Sequence, residues 1–107
     1  MPELTRITAD ASYIDIDLGE LGTTTLFDPE EDSYVYGVFL LNDTSAAKAT
    51  LEVTNGSQTG VLRQSGAGGS IDFQNTFVLG HNDTLQLTVT QTDGAETNTA
   101  TILKAER

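Results

Sequence analysis

Histidine is the side chain best suited to acid–base chemistry near neutral pH, and this chain has one, His81. It lies in the polar stretch 80–83, GHND. A Ser-His-Asp triad also needs an activated serine and an orienting carboxylate, and no serine lies in a motif of that kind. A zinc site lacks ligands too, since the chain has one histidine and no cysteine. We therefore expect His81 to be an exposed turn residue.

Asp15 and Asp17 are two residues apart, which places both carboxylates on the same face of a strand. Paired carboxylates serve as acid and base in glycoside hydrolysis. That chemistry needs a cleft with aromatic walls, and the seven aromatic residues of the chain mostly occupy core-like positions. The pair is better interpreted as solvated surface.

Four acidic residues follow one another closely in the loop 28–32, DPEED. Clustered carboxylates favour calcium, but the DxDxDG pattern of a calcium loop is absent. Cation binding stays an alternative for Asp28, Glu30, Glu31 and Asp32. No other pattern suggests catalysis, so the sequence predicts no catalytic residue, no cofactor and no metal ligand.

The elements that would position these residues are all strands. Apolar and polar residues alternate with period two along most of the chain, the pattern of half-buried strands, and no stretch of ten residues has helical periodicity. Turn sequences such as Asn55-Gly56 separate the strands. These features predict one all-β domain, residues 1–107: an antiparallel β-sandwich of eight or nine short strands, jelly-roll-like or immunoglobulin-like. The predicted strands are 3–8, 13–18, 23–27, 34–41, 48–54, 61–64, 71–79, 84–91 and 97–104.

Two stretches, 34–53 and 77–91, share one plan: an apolar strand, an Asn-Asp turn and a cleanly alternating strand. We expect two hairpins here, at the centre of the sandwich. The predicted core consists of Ile14, Ile16, Phe39, Leu41, Leu51, Val53, Phe73, Phe77, Leu85, Leu87 and Val89.

The strand 34–41, YVYGVFLL, is apolar on both faces, with a bulge or close backbone approach expected at Gly37. A two-layer sandwich has one interior, so one face must meet something else. One interpretation is an oligomer interface, with cyclic symmetry, that consists of Tyr34, Tyr36, Val38 and Leu40. The other is a central strand whose second face is covered by the N-terminal strands of the same chain.

The chain is strongly acidic, with sixteen acidic and five basic residues and a formal net charge of −11. It has no basic stripe, which argues against nucleic acid and against anionic membranes as partners. The acidity is explained either by solubility or by adaptation to high salt, where screening removes the repulsion between like charges. The scarcity of lysine favours a halophilic source.

The N-terminus, MPELTR, has no apolar leader, and no run long enough to cross a membrane follows. We expect a chain made and kept in the cytoplasm, or one that leaves it only as part of a larger particle.

Three segments resemble small β-sandwich structural proteins of tailed phages and related viruses, including those of haloarchaea. In these proteins an apolar strand ends in L-x-N and a T-L-x-V strand returns, and the first segment resembles that pattern: GVFLLNDTSAAKATLEVTNG. The second segment, VLGHNDTLQLTVTQ, resembles their L-x-x-G-D-T-L-x-L turn and strand, with Asn82 in place of the usual Gly. ATILKAE is similar to their terminal strand. The resemblance covers residues 34–106, about two-thirds of the chain.

The resemblance implies a non-enzymatic virion protein of the decoration, turret, collar or tail type. Such a protein would be synthesised in the host cytoplasm, would form homo-oligomers and would dock onto other virion proteins. The alternative is a carbohydrate-binding or adhesive β-sandwich module, which predicts exposed aromatic side chains for stacking on sugar rings. Of the three tyrosines, Tyr13 is the one predicted to point outward.

Overall fold

The computed structural model describes residues 10–40, 47–65, 70–92 and 97–106. These residues form nine β-strands. The strands are β1 Asp10–Asp17, β2 Gly22–Phe27, β3 Ser33–Leu40, β4 Lys48–Thr54, β5 Thr59–Gln64, β6 Ile71–Phe73, β7 Phe77–Leu79, β8 Thr84–Gln91 and β9 Thr97–Glu106.

The strands form two antiparallel sheets that pack face to face. Sheet I has the order β1-β9-β3-β6, with β7 also paired to β3, and sheet II has the order β2-β8-β4-β5. The first strand pairs with the last, the second with the last but one, the third with β6 and β7, and the fourth with the fifth. This nested pairing is that of a jelly roll. It confirms the predicted sandwich and decides against the immunoglobulin-like alternative.

The prediction that each of the two similar stretches forms a hairpin is wrong, because the two strands of each stretch do not pair. β3 lies in sheet I and β4 in sheet II, and β7 and β8 are divided in the same way. Each connection therefore crosses from one sheet to the other. The corresponding strands of the two similar stretches pair with each other instead, β3 with β7 and β4 with β8. Alternation shows which face of a strand is buried, but it does not show which strand lies beside it.

The segment 71–79 is two strands rather than the predicted one. β6 and β7 both pair with β3, and the residues 74–76 between them lie outside the ladder. Phe73 and Phe77 close the gap with an edge-to-face contact of 6.0 Å between ring centroids. Asn75, the one position out of phase in the apolar pattern, marks the interruption.

The core lies between the two sheets and includes residues from both. Of the predicted core, Ile16, Leu51, Phe73, Leu85, Leu87 and Val89 are buried. Ile14, Val53 and Phe77 are partly buried and pack against them. Phe39 is not among the buried residues, so its prediction is wrong, and Leu41 lies outside the described residues. The sequence analysis did not assign to the core the buried residues Leu18, Leu26, Phe27, Val35, Val38, Leu40, Ala47, Ala49, Ile71, Leu79, Ala100 and Ile102.

The turn between β4 and β5 forms where Asn55-Gly56 predicts it. Gly56 has a φ of 92°, in the left-handed region that glycine adopts without strain. The side-chain oxygen of Asn55 accepts hydrogen bonds from the backbone N–H groups of Ser57 and Gln58, at 2.9 and 2.8 Å. This Asx turn aligns β4 with β5.

Within the described ranges, no helix has the length and apolar character that crossing a membrane requires. The predicted strand 3–8 lies outside those ranges, and a single domain over residues 1–107 stays a prediction.

Candidate interaction surface

His81 is an exposed turn residue, as predicted, and it binds a loop at the same end of the sandwich. Its backbone N–H donates to Oδ1 of Asp32 at 2.9 Å, and its Nδ1 lies 2.9 Å from the same oxygen. The two side chains are 58% and 52% exposed. No serine or other nucleophile takes part in this contact, so it connects the β2–β3 loop to the β7–β8 turn rather than forming a triad.

The acidic residues do not converge on a cation site in the part of the chain that the structure describes. No group of three or more acidic or histidine side chains there lies close enough together to hold a metal ion. Asp28 instead accepts a hydrogen bond from Thr84 at 3.4 Å. Asp15 and Asp17 are exposed on β1, and Asp15 accepts one from Thr99 at 3.1 Å.

A β-bulge in β3 decides which residues of this strand face outward. The register against β9 shifts between Val35 and Gly37, so Tyr36 is an extra residue. Val35 faces the core before the bulge, and Val38 and Leu40 face it afterwards. The side chains that remain outside are those of Tyr34, Tyr36 and Phe39.

The predicted set Tyr34, Tyr36, Val38 and Leu40 therefore does not share one surface. Val38 and Leu40 are 1% and 2% exposed and belong to the core of the chain itself. The prediction assumed uninterrupted alternation along the strand, and the bulge inverts the faces of the residues that follow it. Whether Tyr34 and Tyr36 contact another subunit stays a prediction.

The outward aromatic residues of sheet I share the outer surface of that sheet. Tyr13 of β1 pairs with Thr101 of β9, and Thr101 pairs with Phe39 of β3. Because residues directly opposite on paired strands point to the same face, Tyr13 and Phe39 belong to one row. Tyr13 is 70% exposed. We call the outer surface that bears Tyr13, Tyr34, Tyr36 and Phe39 the aromatic face.

Tyr34 and Tyr36 form the middle of the aromatic face. Their rings stack with a centroid distance of 6.2 Å and an interplanar angle of 20°. Tyr34 is paired with Val78 of β7, a large apolar side chain that is 55% exposed. In the described part of the chain, the Tyr36 hydroxyl is buried without a hydrogen-bond partner. An unpartnered buried hydroxyl lowers the stability of a fold by about 1–3 kcal/mol. The favourable contacts of Tyr36 are therefore those of its ring.

The outer surface of sheet II is of a different kind. Glu52 accepts hydrogen bonds from Thr88 at 2.7 Å and from Gln86 at 3.0 Å, and Thr88 also lies 2.9 Å from Thr23. These side chains satisfy one another across three strands. A polar, internally bonded surface of this kind suits contact with water, which leaves the aromatic face as the candidate interaction surface.

Comparison with known proteins supports the fold and assigns no family. No family model matches the sequence, and no curated protein matches it. Two crystal structures of a pentameric capsid protein isolated from metagenomic phage sequences are similar at 24% identity, with TM-scores of 0.45 and 0.46. They match 88% of this chain, which spans 64% and 60% of those chains, less than two thirds.

A third similar structure comes from the Bacillus endospore appendages, a family of disulfide-linked pili. It covers 98% of both chains at 13% identity, with a TM-score of 0.56. At that identity the likeness shows a shared fold alone.

Proposed function

We propose that this chain is a non-enzymatic virion structural protein of a tailed virus that acts by self-association and by docking onto other virion proteins. The observation that carries the proposal is the aromatic face. Three of its residues, Tyr34, Tyr36 and Phe39, are only partly buried, and Tyr13 is largely exposed. The jelly roll supports the proposal, since viral capsid domains use this architecture, as do lectins.

The occupant of the aromatic face is a second copy of this chain. Copies with a net charge of −11 repel one another, so a contact between them must avoid bringing carboxylates together. The part of the aromatic face around Tyr34, Tyr36 and the neighbouring Val78 meets that condition, because these side chains are uncharged. The acids of this surface lie further along it, since Asp72 is opposite Phe39 and Asp15 follows Tyr13 on β1. Partly exposed aromatic side chains are also common anchors of protein interfaces.

The finer features of the proposal rest on the sequence. The resemblance to tailed-virus proteins supports a decoration, turret, collar or tail position and a location in the virion. The acidity supports a virus of a halophilic archaeon. These 107 residues contain no cysteine, so disulfide linkage like that of the Bacillus pili is not available to them and their self-association is noncovalent.

The experiment is the double variant Tyr34→Ser/Tyr36→Ser, followed by light scattering in molar salt and circular dichroism. We expect a β-sheet spectrum like that of the wild type and a mass below that of the wild type. The matched control, Thr25→Ser/Thr90→Ser, makes two changes at exposed positions of sheet II and should keep the wild-type mass.

A second variant, Tyr13→Ser/Val78→Ser, tests the same face if the tyrosine double variant does not fold. Both side chains are more than half exposed, so their replacement leaves the core intact. It should also lower the mass. A monomeric wild type, or a mass that neither variant changes, contradicts self-association through the aromatic face.

One observation also favours the carbohydrate-binding alternative. Tyr13 is 70% exposed on the same face as Tyr34 and Tyr36, and exposed aromatic rings stack on sugars. A glycan array separates the two functions. Glycan binding by a monomeric wild type, lost in Tyr13→Ala, supports the alternative, and a multimer without glycan binding supports the virion protein.

A further inference from the structure

The two edges of sheet II differ in charge from the edges of sheet I. Within the described residues, β2 and β5 end sheet II. Neither strand contains an acidic residue, although the chain as a whole is strongly acidic. By contrast β1, at one edge of sheet I, carries Asp10, Asp15 and Asp17, and β6 at the other edge is three residues long and carries Asp72. Acidic side chains and short strands are both features that prevent edge-to-edge pairing.

β5 is a strand of the kind that other chains pair with. All of its residues except Leu62 are exposed, including the apolar Val61 at 56%. Every neighbouring pair of strands in sheet II is antiparallel, so β2 and β5 run in opposite directions. A second copy placed alongside would therefore present its β5 to β2 in antiparallel orientation, which continues the sheet.

The strand register shows which residues would meet. Thr24 of β2 pairs with Leu87, Leu87 with Leu51, and Leu51 with Arg63 of β5. Extending this row into the next copy places that copy's Arg63 beside Thr24. Arg63 is the only charged residue of β5.

A hollow beside Thr24 offers two carboxylates to a guanidinium group. It is lined by Asp17 and Glu20 together with residues 21–24 and Val89. Glu20 is exposed, and Asp17 is exposed with one oxygen accepting a hydrogen bond from the N–H of Gly19 at 2.9 Å. Arg63 is exposed at the opposite edge, with its guanidinium carbon 5.8 Å from the centre of the Phe73 ring. The basic side chain and the acidic hollow thus lie at opposite ends of one row.

We infer that copies of this chain associate head to tail through sheet II, with β5 of one copy pairing with β2 of the next and Arg63 entering the hollow beside Asp17 and Glu20. The inference rests on the self-association of the proposed function but uses a surface of its own. A head-to-tail contact produces a ring if the rotation closes and a filament if it does not.

A charge swap tests the contact. The variants are Arg63→Glu, Glu20→Arg and the double variant Arg63→Glu/Glu20→Arg, sized by light scattering at the lowest salt at which the wild type is folded. We expect each single variant to weaken self-association by about tenfold and the double variant to restore it. Arg63 and Glu20 lie at opposite edges of one chain, so restoration has to act between copies.

The control Lys48→Glu makes the same charge change at an exposed position of β4 and should leave the mass unchanged. Glu20→Arg lowers the net negative charge, so general repulsion predicts tighter association where the proposed contact predicts weaker association. Tighter association of Glu20→Arg, or no restoration in the double variant, overturns the inference.

If the tyrosine variants lower the mass and the Arg63 variants do not, self-association through the aromatic face is supported and the edge contact is contradicted. The reverse pattern supports the edge contact and contradicts self-association through the aromatic face.

Discussion

The ring of Phe39 occupies the space that a side chain at Gly37 would need. A Cβ atom on Gly37 would lie 2.8 Å from both Cε2 and Cζ of Phe39. The two residues follow the bulge in β3 on the outer surface of sheet I. The glycine therefore allows the phenylalanine ring to lie along the strand, which shapes the aromatic face.

Gly37→Ala should cost about 1–3 kcal/mol of stability in the wild type, because the methyl group displaces the Phe39 ring. In a Phe39→Ala background the same change should cost less, since the ring is gone and alanine suits a strand better than glycine. Chemical denaturation of the four proteins measures this coupling. An equal cost in both backgrounds would mean that the ring does not set the requirement for glycine. The Phe73 carbonyl oxygen, 3.3 Å from the added atom, would then be the cause.

Leu87→Ala should destabilise the protein by about 2–5 kcal/mol, the range for a leucine removed from a well-packed core. Leu87 is 1% exposed and lies in β8, a central strand of sheet II. Thr25→Ala at an exposed position of β2 is the control and should cost less than about 0.5 kcal/mol. Urea denaturation gives both values. Similar small losses for the two variants would place Leu87 outside the core.

Gly56→Ala should cost about 1–2 kcal/mol, because its φ of 92° is strained for any residue with a Cβ atom. Space is not the cause, since nothing lies within 4 Å of the added atom. Gly60 on β5 is the matched control, because its φ is ordinary and its added Cβ would meet only the Val53 carbonyl oxygen at 4.0 Å. Thermal unfolding should show a lower midpoint for Gly56→Ala alone. Equal midpoints for the two variants would contradict the strained turn.

The midpoint of thermal unfolding should rise from low to multimolar KCl. Sixteen acidic residues on a small chain repel one another, and at about 1 M salt the screening length falls to about 3 Å. A variant with the exposed acids Asp10, Glu30 and Glu31 changed to amides should respond less steeply. A midpoint that stays flat or falls with salt would remove the argument for a halophilic source.

The sequence by itself determined the strands and the class of fold. The bounds of β4 and β8 agree with the prediction to the residue, and the turn at Asn55-Gly56 is where the pattern places it. These features are local. Alternation records which side chains face an interior, and a glycine records a backbone that other residues do not adopt readily.

The tertiary structure alone decided which strands pair and which side of β3 is exposed. β3 and β4 follow each other in the chain yet lie in different sheets, because antiparallel partners are selected by packing and not by alternation. Val38 and Leu40 enter the core and Phe39 leaves it because pairing with β9 makes Tyr36 the extra residue of the bulge. One inserted residue inverts the faces of those that follow, and its position depends on a partner strand more than sixty residues away.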